Sequence, residues 1–366
     1  MKKVVYVTDG IAPYVTGGMQ AVARRQIMGL AKRGWDVHFL HSFRKSAPVK
    51  TDLPGTEHVV SFPYSGGLSR FMPWHYVSEL KNYSKLAHQI IQKLRPSIIY
   101  SEGPLIFESL RQSVDVPTVF HPHGLDMFQN QMSVGRNLRA RILRPIVRYH
   151  AKQASLVFSQ GGQLTKILKD QIGINNKKIS VLPNAIRSSS TNSPKAKNQG
   201  KLKCLFVGRN DPKKGFPVLL QALNSLPNIQ LDVIGFNGDT HQSINWHGEI
   251  RDSNRILQFY QDADFLLLPS YSEGMATVIL EAMSVGTPVI GTDVGATSEV
   301  VKDNETGFLI EMGNTAALVE AIQKASQLDE HEYFRQSKNC ISIIQNRFSE
   351  DAVNEQLSQV LIGVAK

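Results

Sequence analysis

Two glutamates eight residues apart form the most chemically suggestive pair in the sequence, Glu273 and Glu281. Glu273 follows a short apolar run, and Glu281 lies in a second apolar run with the spacing of a helix. The start of that helix comprises Gly274, Met275, Ala276 and Thr277. Free backbone N–H groups at a helix start can bind an anion such as a pyrophosphate, and the two carboxylates would then bracket it, one meeting a sugar and the other a ribose. The alternative is a capping acid followed by a solvated helical glutamate.

Two cations stand in a loop after the first predicted strand of the C-terminal half, Arg209 and Lys214 within residues 206–215. The guanidinium of Arg209 can make a forked contact with phosphate oxygens, and Lys214 adds a second positive charge. Open parallel sheets bind ligands at the carboxyl ends of their strands, which favours a binding function for this loop. The alternative is an ordinary surface turn with solvated basic side chains.

The elements around these residues alternate between strand and helix. Residues 4–41 predict a strand, a glycine-bearing loop, a helix that ends at Gly34 and a second strand. The alternation continues to residue 183, stops in the polar segment 188–200, and starts again at residue 203. This order predicts two successive open parallel sheets of Rossmann type. We expect an N-terminal domain at 1–187, a linker at 188–200, a C-terminal domain at 201–348, and a final helix within 349–366 that packs back on the first domain.

The 366 residues divide into a basic and an acidic half. Residues 1–200 contain 28 lysines and arginines against 10 aspartates and glutamates, whereas residues 201–366 contain 13 against 21. A hydrophobic content of 42% excludes a disordered chain. A basic domain favours phosphate, nucleic acid or an anionic membrane surface as its partner, and the acidic neighbour argues against a uniform nucleic-acid coat.

The cysteines and the apolar runs indicate the cellular compartment of the protein. Cys204 and Cys340 are far apart, which disfavours a disulfide framework or a cysteine zinc site. The apolar run at residues 4–7 is too short for a signal-peptide core or a membrane span. No other apolar run approaches the length of a spanning helix. We expect a soluble cytoplasmic protein, with peripheral contact to the inner face of the plasma membrane as an open alternative.

Taken together, the motifs resemble the group-one, glycogen-synthase-like retaining glycosyltransferases of the GT-B fold, over nearly the whole chain. That family has two glutamates separated by seven residues, here Glu273 and Glu281. Its G-R-x-x-x-x-K-G loop corresponds to Gly208, Arg209, Lys214 and Gly215. Its E-A-x-x-x-G-x-P-V segment corresponds to Glu281, Ala282, Gly286, Pro288 and Val289. Further matches are Gly17, Gly18, Gly34, Gly295, Glu299 and a turn at 306–308. The resemblance implies an α/β protein with two Rossmann-like domains whose parallel sheets face a central cleft.

The resemblance also implies an activity: transfer of a hexose-type sugar from a nucleotide-sugar donor to a glycan or lipid-linked acceptor, with retention at the anomeric carbon. Arg209 and Lys214 would neutralise the departing diphosphate, and Glu281 would accept the ribose hydroxyls. Glu273 would engage sugar hydroxyls rather than act as a nucleophile. Catalysis of this kind depends on positioning and on stabilising a charged leaving group.

A family histidine that lines the donor sugar corresponds best to His123, in the run FHPHGLD. His121 would point to the other face if the strand continued, so we assign it to packing. The amides of 274–277 would orient the sugar and phosphate, and Gly18 would allow a close backbone approach. By family analogy alone, we expect a role in bacterial cell-surface polysaccharide or lipopolysaccharide biosynthesis. The sequence does not identify the donor or the acceptor.

The N-terminal half contains a strongly basic predicted helix near residues 134–154. Its arginines are Arg136, Arg139, Arg141, Arg144 and Arg148. Pro145 is expected to kink or interrupt the helix. Its apolar face either packs on the domain while the cations are solvated, or its cations face an anionic leaflet and a lipid-linked acceptor. We expect no nucleic-acid partner, because no recognised binding motif accompanies the charge.

Other chemistries fit less well. Asp262 and Asp264 form a D-x-D pattern, but they precede a predicted strand, at the wrong end for a site, and the histidines lack paired metal spacing, so we expect no metal. The nicotinamide fingerprint is absent, because no G-x-G-x-x-G follows the first strand. Two alternatives to glycosyl transfer stay open: a nucleotide-sugar epimerase or phosphorylase of the same fold, and a non-catalytic sugar-binding protein. No separate cofactor is expected, since the nucleotide sugar is a substrate.

Overall fold

The computed structural model describes residues 2–11, 18–42, 51–60, 73–129, 134–187 and 193–365. For residues 73–76, 134, 136, 137 and 139 the description covers the backbone and not the side chains. Gly17, residues 188–192 of the expected linker and the side chains of Arg136 and Arg139 therefore lie outside the described part of the chain.

The N-terminal domain is built on a parallel sheet of the described strands in the order β3-β2-β1-β4-β5-β6-β7. These strands are β1 (Lys3–Val7), β2 (Asp36–His41), β3 (Thr56–Val59), β4 (Ile98–Glu102), β5 (Thr118–His121), β6 (Leu156–Ser159) and β7 (Ile179–Val181). Its helices are α1 (Gly18–Lys32), α2 (Pro73–Leu94), α3 (Phe107–Arg111), α4 (Val134–Gln153) and α5 (Gly162–Lys166). At the centre, Val4 of β1 lies opposite Val37 of β2 and Ile98 of β4. Helices cover both faces of such a sheet, which explains the continuous apolar runs in its central strands.

The C-terminal domain repeats this architecture with the strand order β10-β9-β8-β11-β12-β13. Its strands are β8 (Leu202–Val207), β9 (Ile229–Ile234), β10 (Ile244–Trp246), β11 (Phe265–Leu268), β12 (Val289–Thr292) and β13 (Gly307–Ile310). Its helices are α6 (Phe216–Leu223), α7 (Ser253–Asp262), α8 (Thr277–Ser284), α9 (Thr297–Val300), α10 (Thr315–Gln327) and α11 (Glu330–Ile343), followed by α12 (Glu350–Val364). Two Rossmann-like domains with parallel sheets are thus confirmed.

Strand order reverses at the equivalent place in each sheet, between β1 and β4 and between β8 and β11. In open α/β sheets the crevice at the carboxyl ends of such strands is the usual ligand site. The loop containing Arg209 follows β8, and the loop containing Glu273 follows β11. The fold therefore brings the two chemically suggestive loops of the sequence to one edge of the second sheet.

The chain returns to the N-terminal domain at its end. The backbone N–H of Ile186 donates to the carbonyl of Phe348 at 2.9 Å, so the two segments that cross between the domains lie side by side. Helix α12 then packs along α1, where the indole N–H of Trp35 donates to the Ser358 hydroxyl at 2.9 Å. Leu361 on its inner face is fully buried. This packing ties the last helix to the first sheet.

Residues 193–200, in the segment expected to be a linker, lie along the C-terminal domain. The backbone N–H of Lys195 donates to Ser337 Oγ at 2.8 Å, and Lys197 Nζ donates to the Ser326 carbonyl at 2.6 Å. The polar composition of this segment gives no sign of these bonds, because they depend on helix ends that come later in the chain.

Three local expectations were wrong or incomplete. Pro145 does not interrupt α4, which runs continuously from Val134 to Gln153. Its missing N–H costs one helix bond, and the helix continues because its other side packs on the domain. Only Thr306 of the expected 306–308 turn is in a turn, since strand β13 begins at Gly307. The short strands β3 and β10 had no predicted counterpart, because their few residues carry too little apolar alternation.

Candidate active site between the two domains

A buried ion pair lies at the end of β11. Lys214 Nζ is 2.7 Å from Glu273 Oε1, and the hydroxyl of Ser270 donates to the same oxygen at 2.7 Å. The Glu273 residue is only 8% exposed. A carboxylate buried to this degree needs such partners, since an isolated buried charge is strongly destabilising. The structure therefore brings together two of the predicted site residues that the sequence separates by 59 positions.

Helix α8 begins directly after this pair. Ala276 precedes its first residue, Thr277, and makes no side-chain capping bond. The first N–H groups of a helix have no partner within the helix, so this start offers donors to an anion. Glu281 lies one turn further along, and its Oε2 accepts a hydrogen bond from the Tyr260 hydroxyl at 2.8 Å. The predicted donor-site residues 274–277 and Glu281 thus lie on the start and first turn of one helix, next to the ion pair.

Glycine is required where the loop before α8 meets its neighbours. A Cβ on Gly274 would lie 2.9 Å from Gln160 Oε1 and 3.1 Å from the Cα of Gly124, both in the N-terminal domain. Gly295 has a φ of +58°, and a Cβ there would lie 2.3 Å from the Glu273 carbonyl oxygen. The Ala296 N–H donates to the Gly274 carbonyl at 2.8 Å. The loop is thereby held between the N-terminal domain and residues 295–296.

The second cationic residue, Arg209, has a different environment from Lys214. Arg209 is exposed, just beyond β8, and its carbonyl accepts a hydrogen bond from the Asp211 N–H at 2.7 Å. Gly208 donates its N–H to the Ile234 carbonyl at 3.0 Å, which fixes where the loop leaves the sheet. One predicted cation is therefore already paired with a carboxylate, whereas the other faces solvent.

Residues 126–129 of the N-terminal domain reach across to this loop. Gln129 Nε2 donates to the carbonyls of Glu273 at 2.7 Å and Gly124 at 2.6 Å, while Gln129 Oε1 accepts from the Glu273 N–H at 3.4 Å. Lys213 Nζ lies 3.0 Å from Asp126 Oδ2. The two domains are thus directly bonded beside the ion pair. None of these cross-domain contacts was predicted, because their partners are far along the chain and the sequence does not show that they lie close together.

His123 is held by its own domain on both sides of its ring. Its Nε2 lies 3.2 Å from Glu102 Oε1, and its Nδ1 lies 3.3 Å from Gln160 Nε2. The ring stacks on His121 with centroids 4.0 Å apart, and the residue has a φ of +54°, which is uncommon for a non-glycine residue. Both ring nitrogens therefore face protein partners, and His123 is a rigid part of the wall beside Gly124 and Gly274.

Glu102 belongs to a buried polar network behind His123. Its Oε1 accepts a hydrogen bond from the Tyr6 hydroxyl at 2.6 Å, and the Tyr100 hydroxyl lies 2.6 Å from His121 Nδ1. Burial lowers the pKa of His121 well below its usual value, and the charge of His123 lowers it further. Burial, followed by the charge of Glu102, raises the pKa values of Tyr6 and Tyr100 well above their usual range. At neutral pH, His121 is therefore uncharged and both phenols keep their protons.

Several residues that support the site were not predicted from the sequence, namely Glu102, Gln129, Gln160, Asn184 and Tyr260. Gln160 Nε2 donates to Asn184 Oδ1 at 2.7 Å, and Asn184 Nδ2 donates to the Met275 carbonyl at 2.9 Å. One of these residues had a usable signal: Glu102 ends a fully buried strand beside the point where the strand order reverses. The others depend on tertiary contacts.

The remaining predicted N-terminal residues divide between open and supporting positions. Gly18 is exposed at the start of α1, and nothing lies within 4 Å of a Cβ built on it. Arg144 Nε donates to the Met127 carbonyl at 2.7 Å, and its guanidinium lies 5.3 Å from the centre of the Phe128 ring. Arg148 Nη2 donates to the Gln171 carbonyl at 3.1 Å. Two of the predicted acceptor or membrane arginines thus also stabilise neighbouring loops of their own domain.

The D-x-D pattern has a structural role at Asp264. This side chain is fully buried, and its two oxygens accept hydrogen bonds from the backbone N–H groups of Asn198 and Lys203, each at 2.8 Å. In the described part of the chain, no three His, Cys, Asp or Glu side chains are grouped so that they could hold a metal ion. The helices in those same ranges include none that is both long and apolar enough to cross a bilayer.

Comparison with known proteins relates this arrangement to an activity. Residues 16–189 match the family model described as Glycosyltransferase Family 4, and residues 189–341 match the model described as Glycosyl transferases group 1. A phosphatidyl-myo-inositol mannosyltransferase of Mycobacterium leprae is 25% identical over 347 residues, which cover 85% of each chain.

Solved structures show the same fold. The sucrose-phosphate synthase of Thermosynechococcus elongatus superimposes with a TM-score of 0.82 at 21% identity, covering 99% of both chains. Anabaena HepE, solved in complex with UDP and glucose, gives a TM-score of 0.69 at 19% identity, with coverage of 99% of this chain and all of the other. The two family models together span residues 16–341. The models cover both Rossmann-like domains, and the protein belongs to the glycosyltransferases of the GT-B fold.

Proposed function

We propose that this glycosyltransferase moves a hexose-type sugar from a nucleoside-diphosphate sugar to a glycan or lipid-linked acceptor, with retention of the anomeric configuration. The Lys214–Glu273 pair, 2.7 Å apart beside the uncapped start of α8, carries the proposal. A helix start and a lysine suit a diphosphate, whereas a carboxylate suits sugar hydroxyls. The crevice between two Rossmann-like domains supplies the place where a donor and an acceptor can meet.

The charges in the site define the role of each residue. Because Glu273 already neutralises Lys214, a bound diphosphate must share this lysine with the carboxylate. The exposed Arg209 and the N–H groups at the start of α8 supply further positive potential. The N–H groups at the helix start are fixed before the reaction, so they can stabilise the charge that develops on the leaving diphosphate without reorganising. Glu273 orients the hydroxyls of the transferred sugar, and Glu281 accepts hydrogen bonds from the ribose hydroxyls.

The comparisons support the choice of substrates. HepE was solved in complex with UDP and glucose, which are the two parts of a nucleotide sugar. The mycobacterial relative is named as a mannosyltransferase that acts on a phosphatidyl-myo-inositol, which is a lipid-borne acceptor. We therefore assign the nucleotide sugar to the C-terminal domain and the acceptor to the N-terminal domain. A role in cell-surface glycan assembly, including polysaccharide or lipopolysaccharide, follows from the same analogy.

Helix α4 is the proposed membrane-facing surface. Leu138 is 63% exposed and Ile142 is 37% exposed, one turn apart on this helix. The neighbouring Arg141 and Arg148 are also exposed. Exposed apolar side chains flanked by cations are typical of helices that lie in the interface of an anionic membrane. Such contact would hold the protein on the cytoplasmic leaflet, near a lipid-linked acceptor.

A donor screen followed by product analysis tests the proposed function. The purified chain is heated with UDP, GDP and ADP sugars, and we expect one donor class to raise Tm, because a ligand that binds the folded state stabilises it. Incubation of that donor with lipid-linked acceptors should release nucleoside diphosphate and form a glycoside. Conversion of the donor into an isomeric nucleotide sugar without an acceptor would instead identify an epimerase. Binding without turnover would identify a non-catalytic sugar-binding protein.

A further inference from the structure

A buried tyrosine hydrogen bonds to Glu281, the residue that binds the ribose under the proposed function. Tyr260, near the end of α7, is 1% exposed, and its hydroxyl donates to Glu281 Oε2 at 2.8 Å. Within the described residues, no other side chain hydrogen bonds to this carboxylate, and its Oε1 has no protein partner. One oxygen of Glu281 is thus anchored to the domain, and the other is available for a ligand.

The tyrosine is itself firmly held. Lys195 Nζ donates to the carbonyls of Tyr260 at 3.1 Å and Gln261 at 2.9 Å, and the hydroxyl of Thr287 also donates to the Tyr260 carbonyl. These bonds satisfy carbonyls at the end of α7, which have no partners within the helix. The backbone at Tyr260 is therefore fixed by the segment that enters the domain and by the loop before β12, and burial holds the ring.

The phenol is a permanent donor. Burial raises the pKa of Tyr260 well above its usual value, and the charge of Glu281 raises it further. The hydroxyl consequently keeps its proton across the physiological range and can always donate to the carboxylate. A glutamate side chain that is free to rotate would lose that freedom when a ligand binds, which weakens binding. The bond to Tyr260 removes that freedom in advance.

We propose that Tyr260 is a positioning residue. It holds Glu281 so that Oε1 of this glutamate accepts hydrogen bonds from the ribose hydroxyls of the donor. The inference rests on the proposed function, because it takes over the assignment of Glu281 to the ribose. It adds a residue from a different helix, α7, that contacts no substrate. Affinity for the ribose should therefore depend on a hydroxyl that lies behind the carboxylate.

The test removes the phenol hydroxyl on one side of Glu281 and the two ribose hydroxyls on the other. Tyr260→Phe keeps the ring and deletes only the phenol oxygen. Isothermal titration calorimetry measures binding of UDP, ADP and GDP, and the tightest of the three is then compared with its 2′,3′-dideoxy form. We expect Tyr260→Phe to weaken binding of the ribonucleotide by about three- to tenfold, as for one hydrogen bond. The same substitution should leave binding of the dideoxy form unchanged.

Tyr333→Phe is the matched control. Tyr333 is also fully buried in this domain, and its hydroxyl donates to the Asp264 carbonyl at 3.0 Å, in no contact with Glu281. We expect it to lower Tm and to leave both affinities unchanged. Equal weakening of both nucleotides by Tyr260→Phe, or no weakening at all, would overturn the positioning role.

The proposed function can fail separately. If the wild type binds the ribo and dideoxy forms equally, and Glu281→Gln changes neither affinity, the ribose assignment itself is wrong and the inference falls with it. If the wild type and Glu281→Gln respond as expected while Tyr260→Phe does not, only the inference is overturned.

Discussion

At the scale of single residues, the site contains two cations in unlike states. Lys214 is largely buried and bonded to Glu273, whereas Arg209 is exposed. The sequence predicted both as phosphate ligands, and it could not distinguish them, because burial and pairing depend on the later β11 loop. The two residues should therefore respond differently to substitution. Lys214 contributes to folding and function, and Arg209 contributes to function alone.

Lys214→Ala leaves the buried Glu273 carboxylate without its cation, which typically costs about 3–5 kcal/mol of unfolding free energy. Arg209→Ala removes only a contact to the donor, so we expect an unchanged Tm and about a 10- to 100-fold lower affinity for the nucleoside diphosphate. Denaturant unfolding and calorimetry measure the two quantities. Equal stability of both variants would contradict the assignment of Lys214 to a buried pair.

Gly274→Ala places a Cβ 2.9 Å from Gln160 Oε1 and 3.1 Å from the Cα of Gly124, so the Gln160 side chain must move and the Gly124 backbone must give by a few tenths of an ångström. We expect kcat/KM to fall about 10- to 100-fold, since small displacements of positioned groups are costly. Gly363→Ala, where nothing lies within 4 Å, is the matched control and should keep full activity. Wild-type kinetics for Gly274→Ala would show that this close approach is not needed.

At the scale of elements, the sequence predicted the parts of the fold with strong local signals. Central strands such as β1 and β11 are continuous apolar runs, and α1 and α8 follow loops with glycine, so their positions were confirmed. The edge strands β3 and β10 were missed because their short sequences, TEHV and INW, carry no clear apolar alternation. The network of Glu102 and the cross-domain bonds of Gln129 were missed for another reason: they join residues whose proximity arises only after the sheets form.

The surface of α4 gives a prediction at this scale. Substituting Leu138 and Ile142 together by Glu removes two exposed apolar side chains and adds negative charge, so we expect recovery on anionic liposomes to drop several-fold in flotation. Phe334→Glu, a similarly exposed apolar position at 46% on α11, is the control and should float like the wild type. Equal flotation of the wild type on anionic and neutral vesicles would exclude an electrostatic membrane surface.

At the scale of the whole molecule, the division of charge now has a structural basis. The acidic half of the chain contains the 206–215 loop, where cations are concentrated at Arg209, Lys213 and Lys214, and the basic half contains α4 and the wall of His123. The domains meet through direct bonds, including Lys213 to Asp126 at 3.0 Å. A donor bound at α8 would therefore lie against both domains at once.

Stability of the N-terminal domain should depend on pH through His150 of α4. Burial lowers the pKa of this histidine from 6.5 to about 4, so the unfolded chain binds a proton more readily than the folded one. The unfolding free energy should then fall as pH drops from about 6.5 to about 4, by about 3 kcal/mol from this residue. His150→Asn keeps a donor for the Ile146 carbonyl and should reduce that slope in denaturant titrations, leaving the part that the buried His121 contributes. An unchanged slope in His150→Asn would contradict this assignment.

The anomeric configuration of the product tests the central claim most directly. The full chain is incubated with the donor that raises its Tm and with a lipid-linked acceptor, and NMR of the purified product gives the configuration of the new bond. We predict a glycoside with the same anomeric configuration as the donor, with one nucleoside diphosphate released per bond formed. An inverted product, or nucleotide-sugar isomerisation without a glycoside, would contradict a retaining transferase built on the Lys214–Glu273 pair.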